Sequence, residues 1–312
     1  MTALEAVAVY LPEQRIPIED LADRLGLSPM QVKVFKRYHG LATVGLDSDG
    51  TLLDLLLSAA AALGVLPGRR HQVRYVLHAR SVPVAVPYPL NPLHEMCRLL
   101  GLGHAIAFTV THQACATGLL AIDIAGRLLA TGGEPDALAL VLAGEKTFTR
   151  SAQILPDTSI FAEGASACLV RHGGQRDRLL AYTARTRGEF DARPGEQPEL
   201  ALRFQREFPA TLAEVLRAAV AQAGLRLDDI SLILPHNVNK VSWRQLCRAI
   251  NFPIERVLLD NVPILGHSFC ADAFINYQTA AQGGLLRPGD RYLVAAAGAG
   301  LGATYSAMVF EH

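Results

Sequence analysis

The sequence predicts an α/β protein on three observations. Strand-like and helical runs alternate along most of its 312 residues. Two stretches, 137–144 and 292–297, are continuously apolar rather than alternating, which suits strands buried on both faces by covering helices. Half of the residues are hydrophobic, and a chain of this length can bury such a core as two domains or as one double-sized unit.

In chain order, helical patterns occupy 18–25, 29–38, 52–63 and 92–100. A short run of strand formers, 106–110, feeds a turn of small residues. The stretch 119–129 then reads as a helix closed by Thr131-Gly132-Gly133. The apolar strand at 137–144 follows. The polar segment 171–178 reads as a junction between two halves, 1–172 and 173–312, and the turn-rich, charged segment 187–198 as an exposed loop. Further helical patterns lie at 199–223, 242–250 and 270–285, before the strand at 292–297. Each half runs a strand into a polar turn, Thr109-Val-Thr-His-Gln113 in one and Leu232-Ile-Leu-Pro-His236 in the other, which is the basis for expecting related halves.

Several function classes are disfavoured by composition. Lys plus Arg and Asp plus Glu balance at 29 each, and no basic cluster is interleaved with aromatics, so neither nucleic acid nor an anionic membrane is expected as a partner. The N-terminus lacks the basic start and apolar core of a signal peptide, and the apolar stretches read as too broken for a membrane span. Five scattered cysteines without CxxC spacing argue against a disulfide framework or structural zinc. The expectation is a cytoplasmic protein with reduced thiols and no cofactor.

Cys115, in Phe108-Thr-Val-Thr-His-Gln-Ala-Cys-Ala-Thr-Gly118, sits just ahead of an apolar helix. At that junction unpaired backbone N–H groups converge and the helix dipole is positive, conditions that suit a sulfur nucleophile. Position alone is equally compatible with a small buried thiol. Two histidines join it. His236 lies in Leu234-Pro-His-Asn-Val-Asn-Lys240 and His267 in Leu265-Gly-His-Ser-Phe-Cys-Ala-Asp272, both at strand-to-helix turns, where side chains of α/β proteins face a shared crevice. The glycine-rich turn Ala297-Gly-Ala-Gly-Leu-Gly302 lacks the helix and GKS/T of a phosphate loop. It is better suited to close backbone approach, with the N–H of Gly300 and that of Cys115 facing a developing oxyanion.

These motifs resemble the β-ketoacyl-ACP synthase III family of the thiolase fold. Ala114-Cys-Ala116 resembles its nucleophile turn, Pro235-His-Asn-Val-Asn239 its histidine motif, and Ile160-Phe-Ala-Glu-Gly-Ala-Ser-Ala167 its Phe-Gly-Asp-Gly-Ala segment. Gly266-His-Ser268 falls where the family has Gly-Asn-Thr/Ser, and Arg287-Pro-Gly289 and Gly298-Ala-Gly300 follow in order. The first hundred residues match more loosely, through Lys36-Arg-Tyr-His-Gly40. The resemblance implies a thiolase-like fold of two pseudo-repeated halves, layered α-β-α-β-α, and a homodimer whose sheets continue across the interface.

The sequence departs from the family at position 267, where histidine replaces the asparagine that helps polarise a malonyl thioester. Asp272, at the start of the next helix, can reach back to this histidine. A Cys115–His267–Asp272 arrangement results: nucleophile, base, and a carboxylate that fixes the tautomer and stabilises imidazolium. This is similar to the non-condensing acyltransferase branch of the family found in antibiotic pathways. Its members move an acyl group from acyl carrier protein or CoA to an O, N or S acceptor. A condensing enzyme using Cys115, His236 and His267 is the alternative. His236 is read as an accessory acid/base or a binder of the thioester carbonyl, and Glu163 as structural; His112 and Cys270 lie near these motifs without an assigned role. Lys33, Lys36, Arg37, Lys240 and Arg244 are candidates for meeting an acidic carrier.

Overall fold

The computed structural model describes residues 1–83, 89–191, 198–298 and 302–312. Among these residues nine main strands run β1 (Thr2–Tyr10), β2 (Val73–Ala79), β3 (Ile106–Val110), β4 (Leu138–Gly144), β5 (Ala165–His172), β6 (Arg178–Arg187), β7 (Leu232–Pro235), β8 (Arg291–Gly298) and β9 (Ala303–Glu311). Their hydrogen-bonded order is β7-β8-β9-β6-β1-β5-β4-β2-β3. The six longer helices are α1 (Leu52–Ala61), α2 (Pro92–Leu99), α3 (Thr117–Thr131), α4 (Pro198–Gln222), α5 (Lys240–Ile250) and α6 (Asp272–Gln282).

The same topology is traced twice. In the first half β1 pairs antiparallel with β5, β5 antiparallel with β4, and β4 and β2 pair parallel. In the second, β6, β9, β8 and β7 repeat those directions in the same order. The fifth strand, β3, is reduced in the second half to a single parallel bridge from Ile233 to Val257. By sheet position β7 therefore corresponds to β2, not to the strand before Cys115. The expected match of 109–113 with 232–236 is corrected accordingly. The closer echo is Ala114-Cys-Ala-Thr117 against Phe269-Cys-Ala-Asp272: each is a 3₁₀ turn leading into a central helix, and each opens on a residue of positive φ, 45° at Ala114 and 52° at Phe269.

The layering follows from side-chain alternation along the buried strands. In β4, Leu138, Leu140 and Leu142 pack with α1 and α2 on the outer face, while Ala139, Val141 and Ala143 face α3 and α6. In β8, Leu293, Ala295 and Ala297 join the α4 and α5 core, while Tyr292, Val294 and Ala296 face inward. The continuous apolar runs are thus strands covered on both sides. Five layers result, α1/α2, half-sheet, α3/α6, half-sheet, α4/α5, which is a thiolase-like fold. The halves meet where β5 ends and β6 begins. Just before β6, buried Asp177 accepts hydrogen bonds from Tyr277 (2.6 Å), Tyr292 (2.9 Å) and His312 (2.7 Å).

Four other expectations need amendment. The pattern at 18–25 yields helix only over Ala22–Leu25, and that at 29–38 yields α-helix over Pro29–Val34 continued by a π-turn over Phe35–His39. In the segment read as exposed loop, Phe190 is buried against Phe204, with the Arg187 and Arg203 guanidinium groups over its ring. The stretch Ala114–Thr131 is long and apolar enough to cross a membrane, contrary to the reading of broken apolar stretches, but 61% of it is buried here as the central helix.

Candidate active site

The two central helices bring the site together. Cys115 lies in the turn before α3, and His267 precedes the turn before α6, so both helix N-termini face one place. Their approach requires Gly118, where a Cβ would stand 2.6 Å from the carbonyl oxygen of Cys270. The end of β8 presses on the nucleophile turn in the same way. A Cβ on Gly298 would meet the Ala114 Cβ at 2.5 Å, the Gln113 carbonyl at 2.6 Å and the Cys115 nitrogen at 2.8 Å. The turn carries φ of 73° at His112 and 45° at Ala114, values uncommon outside glycine and found at strained functional turns.

Cys115, His267 and Asp272 form a continuous line. Cys115 Sγ lies 3.0 Å from His267 Nε2, and His267 Nδ1 lies 2.5 Å from Asp272 Oδ2. All three are buried. Asp272, the first residue of α6, also accepts from the backbone N–H of Ser268 (2.7 Å) and from that of Asn237 (2.5 Å). With both carboxylate oxygens engaged by donors, Nδ1–H is directed at Asp272 and Nε2 is left facing the thiol. The backbone of His267 is fixed by a pair of bonds to the strand-like segment beside it, its N–H to Ile160 (3.0 Å) and its carbonyl from Ala162 (2.8 Å). Phe161 in that segment stacks on the imidazole at 5.0 Å between ring centroids and on Phe269 at 4.3 Å.

The two histidines sit in opposite electrostatic settings. At His267, desolvation is the largest influence and acts downward, but Cys115 and Asp272 together outweigh it and raise the ring to about 10. At His236, burial and then repulsion from His267 lower the ring to about 3, so it is a neutral imidazole at physiological pH. The ring centroids are 6.0 Å apart, and His236 Nδ1 is buried without a hydrogen-bond partner among the described residues. His236 is backed by Trp243, whose indole N–H donates to the His236 carbonyl at 3.0 Å, and it is edged by Phe208 of α4.

The other residues singled out from the sequence fall as follows. Glu163 is an organiser of the neighbouring loops: it accepts from the N–H groups of Asp47 and Thr147 and from Lys146 Nζ. Asn239 caps α5. Gly300 lies outside the described residues, so the oxyanion pair of Cys115 and Gly300 has one described member. Lys36 is paired with Glu19, whereas Lys33, Arg37 and Arg244 are exposed. All five cysteines are buried and unbridged. Sequence reasoning passed over Asn237, Ser268 and Phe161, although each adjoins a quoted motif residue.

In this architecture a cysteine at a helix N-terminus faces a histidine contributed by the second half. Residues 220–312 match the C-terminal region of 3-oxoacyl-[acyl-carrier-protein] synthase III. The chain is 25% identical to a β-ketoacyl-[acyl-carrier-protein] synthase III of Sphingopyxis alaskensis across 99% of its own length and 98% of the relative's. Among solved structures it resembles ChlB3, described as an acyltransferase (TM-score 0.84, 21% identity, 99% and 97% of the two chains covered). It resembles the 3-oxoacyl-[acyl-carrier-protein] synthase III of Aquifex aeolicus equally (TM-score 0.84, 21% identity, 100% of both chains). The chain is thus similar in sequence and in fold to β-ketoacyl-[acyl-carrier-protein] synthase III proteins.

Proposed function

We propose that this protein is an acyltransferase that carries an acyl group on Cys115 and delivers it to an oxygen, nitrogen or sulfur acceptor in secondary metabolism. The observation that carries this reading is the buried line from Cys115 through His267 to Asp272. A base that must take a proton from an acceptor and hold it as imidazolium benefits from a carboxylate on its far nitrogen. Polarising a malonyl thioester for decarboxylation requires no such carboxylate.

The reaction has two steps. Cys115 Sγ attacks the carbonyl carbon of an acyl-carrier or CoA thioester, and the backbone N–H groups of Cys115 and Gly300 hold the oxyanion. Collapse expels the carrier thiolate, which takes the proton from His267, and leaves the acyl-enzyme. His267 Nε2 then removes the proton of the acceptor as its heteroatom attacks the acyl-enzyme carbonyl, and Cys115 departs as thiolate beside the imidazolium. Neutral His236 serves as a hydrogen-bonding group for the acyl carbonyl rather than as a proton reservoir. The acyl donor is a carrier protein or CoA, the acceptor a small molecule, and the working unit a cytoplasmic homodimer.

One observation favours the second reading, decarboxylative condensation. His236 and His267 stand edge to face at 6.0 Å, and two histidines beside a cysteine can hold a malonyl thioester carbonyl. Product analysis separates the two. Purified protein is supplied with an acyl-carrier thioester and either malonyl thioester or a panel of alcohols, amines and thiols. A mass equal to acceptor plus acyl supports transfer; evolved CO₂ with a new carbon–carbon bond overturns it.

A further inference from the structure

Behind Asp272 lies a row of three buried side-chain amides that no step above uses. Asn237 Nδ2 reaches Asp272 Oδ1 at 3.4 Å, Asn276 Nδ2 donates to Asn237 Oδ1 at 2.8 Å, and Asn261 Nδ2 donates to Asn276 Oδ1 at 2.7 Å. All three residues are buried. They come from three places, the turn after β7, helix α6 and the segment before Val262, and the row ends against Thr279 Oγ1, 2.8 Å from Asn261 Nδ2.

The orientation of the row is fixed by its surroundings. Asn276 Nδ2 also lies 2.7 Å from the Pro235 carbonyl, which can only accept, so this atom is the donor. Asn237 must then offer Asn276 its oxygen, which turns its own NH₂ toward Asp272, a carboxylate that also only accepts. Asn276 Oδ1 is left for Asn261. Every amide therefore points its N–H end toward the carboxylate, and aligned hydrogen bonds in a low-dielectric interior polarise one another.

From this alignment we infer that Asn237, Asn276 and Asn261 form a positioning relay that holds the Asp272 side chain aimed at His267, and so sets how firmly His267 is engaged with Cys115. Asn237 contacts the carboxylate twice, through backbone and side chain; Asn276 and Asn261 act only through their neighbours. Asn276 lies four residues beyond Asp272 on α6, the spacing that places two side chains on one helix face. The relay thus ties the orientation of the carboxylate to the turn carrying His236. The inference rests on the reading of His267 as the partner of Cys115 but not on the nature of the acceptor.

The test needs neither donor nor acceptor. The rate of iodoacetamide alkylation at Cys115 is followed against pH by mass spectrometry of its peptide, with a Cys115→Ala sample giving the background from the other thiols. A thiolate held by imidazolium reacts well below the pH at which an ordinary thiol does. The other ionisable groups facing the pair are His236, across from the His267 ring, and Cys270, beside Cys115; both are unchanged in the variants. Asn276→Leu removes the middle amide at similar volume, weakens the hold on imidazolium, and moves the acid limb to higher pH by roughly half a unit. Asn261→Leu moves it the same way by less, and decides the matter alone if Asn276→Leu does not fold. A limb at its wild-type pH in a folded variant overturns the relay. A wild-type profile with only an ordinary thiol limb overturns the Cys115–His267 pairing, and the relay with it.

Discussion

Replacing Asp272 with asparagine removes one charge from a site where four donors converge. The carboxylate accepts from His267 Nδ1, from the N–H groups of Ser268 and Asn237, and from Asn237 Nδ2. An asparagine has one acceptor oxygen, so its NH₂ must face at least one of these donors. His267 loses one of the two partners that lift its ring to about 10, while the downward pull of burial remains. Imidazolium formed as the acceptor is deprotonated then has no counter-charge on its far nitrogen. A well-placed general base supplies about 10²–10⁴-fold, and breaking its orienting partner forfeits a comparable share. We expect the single-turnover transfer rate to fall by about 10³-fold, or roughly 4 kcal/mol at 1.36 kcal/mol per decade. The assay is loss of the acyl adduct from pre-acylated protein, read by intact mass after rapid mixing with acceptor. A rate within about threefold of wild type, in a variant that acylates fully, would refute the role of Asp272.

Other expectations test neighbouring parts of the site. Gly298→Ala drives a methyl group into the Gln113 carbonyl and the Cys115 nitrogen. It should slow acylation at least tenfold and cost about 1–3 kcal/mol of stability, read by stopped-flow acylation and urea denaturation. Phe161→Ala uncovers one face of His267, so spontaneous hydrolysis of the acyl-enzyme without acceptor should rise severalfold, measured by the decay of the acylated mass. Stability should fall on the acid side. His78 and His236 are fully buried and lowered to about 3 in the folded state, burial being the main cause for both. The unfolded chain therefore binds more protons from pH 6.5 down to about 3. Each histidine costs about 1.4 kcal/mol per pH unit across that window, and His236→Asn should lower the acid slope of denaturation free energy by about that amount.

Much of this molecule is legible in its sequence, for identifiable reasons. The strands 137–144 and 292–297 declare themselves because a strand covered on both faces has no polar alternation. Cys115 follows a strand as its motif suggests, whereas His267, expected at a strand-to-helix turn, lies between the short helix Val262–Leu265 and the turn before α6, and Asp272 opens α6. The helix ends were less legible. The π-turn at Phe35–His39 and the short helix Ala22–Leu25 bury Phe35 and Leu25 in a small separate core with Val44, Ile160 and Val262, contacts that local pattern does not display. The correspondence of the halves was misplaced because polar strand-end turns recur throughout α/β chains. The pairing that matters, Ala114-Cys-Ala with Phe269-Cys-Ala, is marked by backbone strain that residue names do not reveal. The amide relay was invisible for another reason: asparagines at 237, 261 and 276 meet only after three separate segments pack together.

The central claim is that the acyl group on Cys115 leaves for a heteroatom. Its most direct test is a chase of isolated, fully acylated protein, split between a heteroatom acceptor panel and isotopically labelled malonyl thioester. The account predicts that an alcohol, amine or thiol discharges the adduct in a His267- and Asp272-dependent manner, while the malonyl arm leaves it in place and yields no labelled CO₂. Discharge by malonyl thioester with labelled CO₂ and a β-keto product would contradict it.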